Sequence, residues 1–271
     1  MRHETQNLIP LGNLIIGNAD EDKTDWRDPA NWFMATVSDT NGILLTAIMA
    51  PPNNLALYAT DNKIDSAVID CLIHGIADRP VPGVVSEKGL AQCFAERYAA
   101  SHNKAFEIAM SQCIYELTEV NPQTPQVGTL RLLDERDMPF FPFWYEAFYA
   151  VDTVEGPAAT TMQIPTSETK YLYNLSKKYI YILEVDGIPV SMAGVIRELS
   201  TVCCIGPVYT PPYYRGKGYA SSAVAQLSQL MLNKGFTKCA LFTDLANPTS
   251  NRIYHKMGYR PFCDWLRVRF V

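Results

Sequence analysis

Arg215-Gly216-Lys217-Gly218 lies between an apolar run and an amphipathic one, and its residue types suit an anion. The run that starts at Val202 stops at Pro211-Pro212, and after the turn Ala220, Val224, Leu227 and Met231 recur at helical spacing up to Gly235. A strand, a glycine turn and a helix N-terminus are therefore expected, with Gly235 as the helix stop. The first-turn N–H groups of a helix have no partner within it, and the macrodipole adds partial positive charge at that end. Phosphate or pyrophosphate is the matching ligand. Gly216 and Gly218 let backbone approach such a group, and Arg215 and Lys217 add charge.

A second stretch follows after one helical and one strand pattern: Asn247-Pro-Thr-Ser-Asn-Arg-Ile-Tyr-His-Lys-Met-Gly-Tyr259. Asn247 suits an N-cap, Pro248 the first turn and Gly258 the stop of a short helix. Together the two stretches resemble the signatures of the GNAT superfamily, the CoA-dependent N-acetyltransferases. Arg215, Gly218 and Ala220 fill Arg/Gln-x-x-Gly-x-Gly/Ala, while Asn247, Tyr254 and Lys256-Met-Gly-Tyr259 fill the second pattern in the family's order. The resemblance covers Thr129 to Val271.

The resemblance implies acetyl-CoA as cosubstrate, no metal, and a primary amine of a small molecule or peptide as acceptor, acetylated by direct attack in a ternary complex. It places Val208, Tyr209 and Thr210 beside the pantetheine arm, and Arg215, Gly216, Lys217, Gly218, Tyr219 and Ala220 around the pyrophosphate. Asn247 and Asn251 fall at cofactor-binding positions, although helix capping accounts for Asn247 equally well. Tyr254 matches the tyrosine that gives a proton to the departing thiolate; a buried helix residue bonded to cofactor or backbone is the other reading. An alkylammonium with a pKa of about 10.4 must lose a proton before it attacks. The strand Val202 to Thr210 carries no carboxylate; Glu198 and Asp244 lie nearby in sequence, and Glu198 stands as the candidate base beside an equal alternative, an ordered water chain. A non-catalytic acyl-CoA-binding or interaction module that retains the fold is the rival from another class.

Composition narrows the setting. The 271 residues are 48% hydrophobic with a net charge of −5, enough for one large core or two ordinary ones and without the basic stripe of a nucleic-acid binder. The seven cysteines form no C-x-x-C and mostly lie in apolar runs, which reads as reduced core thiols of a cytoplasmic protein. The four histidines have no metal-ligand spacing. No signal-peptide pattern opens the sequence, and the longest apolar stretch, Ile43 to Pro51, is too short to span a bilayer. A homodimer is compatible with this picture.

The elements that must position these residues repeat along the chain. Residues 1 to 31 read as a polar loop with an acidic patch at Asp20-Glu-Asp22. Trp32 to Ser38 and Ile43 to Met49 flank Asp39-Thr-Asn41-Gly42, whose last two residues are expected at positive φ in a tight hairpin. A strand at Leu55 to Ala59, a helix with Ile64, Val68, Leu72 and Ile76, a strand at Val81 to Val85, a helix capped by Ser86 with Leu90, Phe94 and Tyr98, and a long strand from Phe106 to Val120 complete the first half. A change of parity near Ser111-Gln112 in that last strand predicts a bulge. Asn121-Pro-Gln-Thr-Pro-Gln126 breaks the pattern and marks a boundary.

Beyond it come a strand at Thr129 to Leu133, an aromatic-rich helix over Met138 to Val151, a helix over Thr166 to Lys178, a hairpin turning at Asp186-Gly187, and the signature elements. Asn41-Gly42 answers Asp186-Gly187, Tyr58 answers Tyr209, and Tyr98 answers Tyr254. An α+β fold with a mixed sheet is expected: two GNAT-like domains in tandem, 1–124 degenerate and structural, 125–271 intact. The first half has Thr60-Asp-Asn-Lys-Ile-Asp65 where the second has its glycine turn.

Overall fold

The computed structural model describes residues 29–60, 65–152 and 168–271; the expected acidic loop and the centre of the Thr60 to Asp65 turn lie outside them. In chain order the first elements are β1 (Phe33–Asp39), β2 (Gly42–Met49), β3 (Leu55–Ala59), α1 (Ser66–Ile76), β4 (Gly83–Glu87), α2 (Lys88–His102) and β5 (Phe106–Leu117). There follow β6 (Thr129–Leu132), α3 (Phe141–Asp152), α4 (Glu168–Lys177), β7 (Ile180–Val185), β8 (Ile188–Glu198), β9 (Val202–Tyr209), α5 (Tyr219–Asn233), β10 (Lys238–Asp244), α6 (Pro248–Met257) and β11 (Arg260–Phe270). The fold is α+β with mixed strand pairing, as expected. The chain divides into two compact units, the first holding residues up to Ile114 with Phe242–Ala246 and Pro261–Val271, the second Tyr115–Leu241 with Asn247–Arg260.

In the first unit β1 and β2 form the expected hairpin, with β3 antiparallel to β2 and parallel to β4. Its turn differs in detail from the sequence expectation. Only Gly42 has positive φ (136°), because the Asp39 carboxylate accepts the N–H groups of Asn41 (2.7 Å) and Gly42 (3.1 Å) and closes the turn through its side chain. The Asn41 N–H is also what chiefly holds the Asp39 pKa below its ordinary value. At the second hairpin both Asp186 (52°) and Gly187 (74°) are left-handed, as a two-residue primed turn requires.

Helix α1 turns Ile69, Leu72, Ile73 and Ile76 to the core, and α2 turns Leu90, Phe94 and Tyr98. The cap of α2 is Glu87, not Ser86: the Glu87 carboxylate accepts from Leu90 N at 3.1 Å, while Ser86 stays in β4 and donates to the Leu57 carbonyl at 2.8 Å. A buried hydroxyl with a cross-strand acceptor is better placed there than at an exposed helix end. Glu87→Ala is expected to lower stability by about 1 kcal/mol, the usual worth of a cap, read as a shifted denaturation midpoint with unchanged slope. In β5 the buried residues are Met110 and then Cys113, Ile114, Tyr115 and Leu117, so burial shifts beyond Ser111-Gln112 without settling into strict alternation.

The first unit is completed by the last strand of the chain. β11 runs antiparallel to β4 from Trp265 opposite Glu87 to Arg269 opposite Gly83. Leu266, Val268 and Phe270 join a core with Phe94 and Tyr98.

The second unit has β6, β7, β8 and β9 in antiparallel succession, then β10 parallel to β9. Arg131 on β6 binds Asp137 and Glu184, each at 2.7 Å, and Asp137 is only 1% exposed. Phe141, Trp144 and Tyr145 of α3 pack on Ile180, Ile182 and Met192 beneath them.

Candidate active site

The site is built on β9, whose two edges have different partners. Its parallel ladder with β10 covers only Val202–Cys204 opposite Lys238–Ala240, whereas pairing with β8 runs on to Ala193 opposite Val208 and Met192 opposite Tyr209. The register shift between Ala193 and Val195 places one extra β9 residue at Gly206-Pro207, a bulge where proline can donate no ladder bond, and the shift between Val195 and Arg197 places one extra residue on β8. Gly194 makes it fit. A Cβ there would lie 2.9 Å from the Gly206 carbonyl oxygen and 2.8 Å from Ile180 Cδ1.

Strand alternation then decides which backbone groups β9 offers. Val195 donates its N–H to the Tyr179 carbonyl, so Ala193, two residues away, also faces β7, and Ala193 and Val208 form a non-hydrogen-bonded pair. Val208 therefore turns its N–H and C=O away from β8, past the end of the β10 ladder. Tyr209 faces the other way: its carbonyl accepts from Ser191 Oγ at 3.1 Å, and Ser191 Oγ also shares a 2.8 Å hydrogen bond with Thr210 Oγ1. Ser191 is fully buried, so this clamp fixes the strand end.

Beyond Thr210 a 3₁₀ turn, Pro212–Tyr214, leads into the glycines. Arg215 Nε donates to the Thr210 carbonyl at 2.9 Å, and its guanidinium lies 5.9 Å from the Tyr209 ring centre. The side chain thus braces the turn as well as carrying charge. Gly216 (φ 78°) and Gly218 (φ 80°) are left-handed, and a Cβ on either would meet no atom within 4 Å, so the backbone here is bare. Gly218 caps α5, and the first helical N–H to find an acceptor is that of Ser222, on the Gly218 carbonyl. Among the described residues, no hydrogen bond engages the N–H groups of Gly216 to Ser221. Six unbonded donors thus lie at the N-terminal end of the helix dipole, with Lys217 among them.

The helix itself is anchored from both sides. Ala223, Val224, Leu227 and Met231 are buried. On the other side Ser222 Oγ accepts from Val127 N (3.0 Å) and Gln226 Oε1 from Leu130 N (3.1 Å), which fastens the incoming chain to the first turns of α5. Neither polar residue stands out in the sequence, because nothing local announces so distant a partner.

Asn247 caps α6 as the sequence requires, accepting from Ser250 N at 3.1 Å, and its carbonyl accepts the N–H of Asn251 at 3.2 Å. Tyr254 is half-buried on α6, its ring edge-on to Tyr259 at 5.9 Å. The two phenols have different environments. Tyr259 is fully buried, shares a 2.8 Å hydrogen bond with Ser228 Oγ, and has its pKa pushed well above the usual value, first by burial. It is a core residue. Tyr254 keeps partial access.

Other polar groups divide clearly. His255 Nε2 and the Tyr115 hydroxyl are 3.3 Å apart, a pairing without a local signal in the sequence. Glu198 stands opposite Cys203, six residues before Tyr209, or about 20 Å along the strand at roughly 3.3 Å per residue. The structure does not bring it to the Val208 end of β9. Burial pushes the Cys239 thiol up to about 12 and raises Cys203 and Cys204 as well, so these thiols are neutral at pH 7 and are not activated nucleophiles. Among the described residues no three His, Cys, Asp or Glu side chains cluster as a metal site, and no helix is long and apolar enough to cross a membrane. Trp144 of α3 reaches the strand, its ring 6.3 Å from that of Tyr209, while Phe143 on the same helix is exposed.

Comparison with known proteins gives this geometry a family. The family model "Acetyltransferase (GNAT) family" matches residues 131–259. A search of curated proteins by sequence finds no match. Among solved structures, an acetyltransferase of the GNAT family from Colwellia psychrerythraea is similar over 97% of this chain and 96% of its own, at 12% identity and a TM-score of 0.54. A GCN5-related N-acetyltransferase from Sphaerobacter thermophilus is similar over 100% and 93%, at 14% identity and 0.56. One from Kribbella flavida matches over 87% and 89%, at 17% identity and 0.53. At these identities the likeness is one of fold. The matched residues run from within β6 to the residue before β11 and contain the strand, the glycine turn and the Tyr254 helix, and over this segment the chain matches the GNAT acetyltransferase family.

Proposed function

We propose that the protein is an N-acetyltransferase that moves the acetyl group of acetyl-CoA to a primary amine of a small molecule or peptide by direct attack. The observation that carries this reading is the continuity of two kinds of donor. The outward N–H and C=O of Val208 offer an amide-bearing arm a strand-like partner, and the unbonded N–H groups of Gly216 to Ser221 offer a pyrophosphate its donors. A pantetheine diphosphate has these two demands in that order, so the residues present fit the cosubstrate.

When bound, acetyl-CoA supplies an activated acyl group on a good leaving thiol. The chain's own residues do the rest. Val208 and the turn hold and orient the donor, Lys217 balances phosphate charge, and Tyr254 delivers a proton to the departing sulfur. A phenol of pKa about 10 protonates a thiolate of about 8.5 because it is held at the point of release, so placement counts for more than driving force.

We assign proton removal from the amine to ordered water. Glu198→Gln is accordingly expected to change kcat/KM by less than about threefold between pH 6 and 9, in steady-state rates of thiol release; loss of the acidic limb of that profile would make Glu198 the base.

The rival reading, a non-catalytic acyl-CoA-binding module, draws on one observation: β9 carries no carboxylate. Release of free CoA thiol with a panel of primary amines, above the rate without amine, separates the two. Calorimetry with acetyl-CoA tests what they share.

The two sequence halves, 1–124 and 125–271, are in our reading tandem GNAT-like copies of which only the second acts. The order hairpin, strand, helix, strand, helix, strand occurs twice, as β1 to β5 and as β7 to β11. In the first copy Tyr98, the counterpart of Tyr254, is 1% exposed and stacked against Phe94 and His102, which gives it a structural place in the core.

A further inference from the structure

The acyl-CoA reading leaves one feature of the turn without a task. Tyr213 has the highest exposure, 69%, among the exposed large hydrophobic side chains of the described residues, and it stands three residues before Gly216. Its ring is edge-on to Tyr214 at 4.6 Å, Tyr214 is edge-on to Tyr219 at 6.2 Å, and Lys217 Nζ lies 6.0 Å from the Tyr214 ring centre. Folding gains little from a ring left in water, so packing does not account for Tyr213. The backbone under it is nonetheless fixed: Tyr214 N donates to the Pro211 carbonyl at 2.9 Å and Arg215 N to that of Pro212 at 3.2 Å, with two prolines limiting φ.

We propose that Tyr213 and Tyr214 are a stacking platform for the adenine base of the acyl-CoA, with Lys217 as the adjoining cation for its phosphates. The inference rests on the acyl-CoA reading. With the pantetheine arm along Val208 and the diphosphate on the N–H groups of Gly216 to Ser221, the adenosine leaves the turn on its exposed side, within one nucleoside length of the diphosphate. Tyr209 is half-buried, with the Arg215 guanidinium and the Trp144 ring beside its own, and is less open than Tyr213. Tyr213 is the exposed ring there, backed by Tyr214, and an aromatic side chain suits any flat base without requiring a hydrogen-bond code. The platform separates recognition of the nucleotide end from the chemistry at the acyl end.

Calorimetry on the intact protein with two probes, CoA and 4′-phosphopantetheine, tests this. Tyr213→Ala is expected to raise the Kd for CoA about tenfold, within the range measured for base stacking on aromatic side chains, and to leave that for 4′-phosphopantetheine within twofold. Tyr213→Trp should keep wild-type CoA affinity. A CoA affinity unchanged in Tyr213→Ala, or an equal loss for both probes, overturns the platform while the acyl-CoA site stands. Failure of the wild-type protein to bind CoA refutes the acyl-CoA site itself, and the platform with it.

Discussion

Tyr254→Phe is expected to lower kcat by about a hundredfold and leave the Kd for acetyl-CoA within about twofold. The size follows from the step it removes. General acid catalysis is worth roughly 10² to 10⁴ in rate, and a thiolate of pKa about 8.5 is a tolerable leaving group unaided, which favours the low end. A hundredfold corresponds to about 2.7 kcal/mol of transition-state stabilisation. The substitution keeps the ring, and with it the edge-on contact to Tyr259 at 5.9 Å, so packing is little disturbed. Tyr259 cannot take over, since its hydroxyl is bonded to Ser228 inside the core. Pre-steady-state rates of thiol release with calorimetric Kd values decide the matter: a fall in kcat alone marks an interaction made in the transition state, and a parallel loss of affinity reduces Tyr254 to a binding or packing residue.

What the sequence made legible was local. Gly216, Gly218, Asn247 and Gly258 each announce a backbone conformation that few other residues adopt so readily, and each is found in it. The Asp186-Gly187 turn was legible for the same reason. Ser86 failed as a cap because two neighbours, Ser86 and Glu87, both suited the position, and the choice went to Glu87 once the Leu57 carbonyl claimed the Ser86 hydroxyl from 29 residues away. Ser191, Ser222 and the Tyr115–His255 pair were illegible outright. Their partners lie 18, 95 and 140 residues distant, and a serine or histidine in an apolar run looks the same with or without them. The geometry also sharpened Val208 and Tyr209: residue type gives both the same backbone groups, and only the register of β7, β8 and β9 tells that Val208 points outward.

Register has its largest consequence at the far end of the chain. Expressed alone, residues 125–271 are expected not to reach a folded state, although they contain both signatures and all the proposed site residues. Their last strand belongs to the core of the first unit: β11 pairs with β4 at five positions, and Gly83 sits so close beneath it that a Cβ would lie 2.1 Å from the Val268 carbonyl oxygen. Trp265, Leu266, Val268 and Phe270 are each less than 10% exposed, and Phe270 packs on Tyr98 with ring centres 4.7 Å apart. Returning four such side chains to water forfeits roughly 1.5 to 3 kcal/mol apiece, a sum comparable with the whole stability of an ordinary domain at about 5 to 15 kcal/mol. It also leaves β11 with an apolar face and an unpaired edge, a template for aggregation. Residues 1–124 face the reciprocal loss, since Phe94 and Tyr98 would lack Leu266, Val268 and Phe270. Each fragment alone should therefore give insoluble protein or an amide spectrum without dispersion, and their co-expression should recover a soluble pair that binds CoA. A monomeric, well-dispersed 125–271 with full CoA affinity would mean that the site is supported without β4, and that the boundary at residue 124 separates folding units as well as sequence copies.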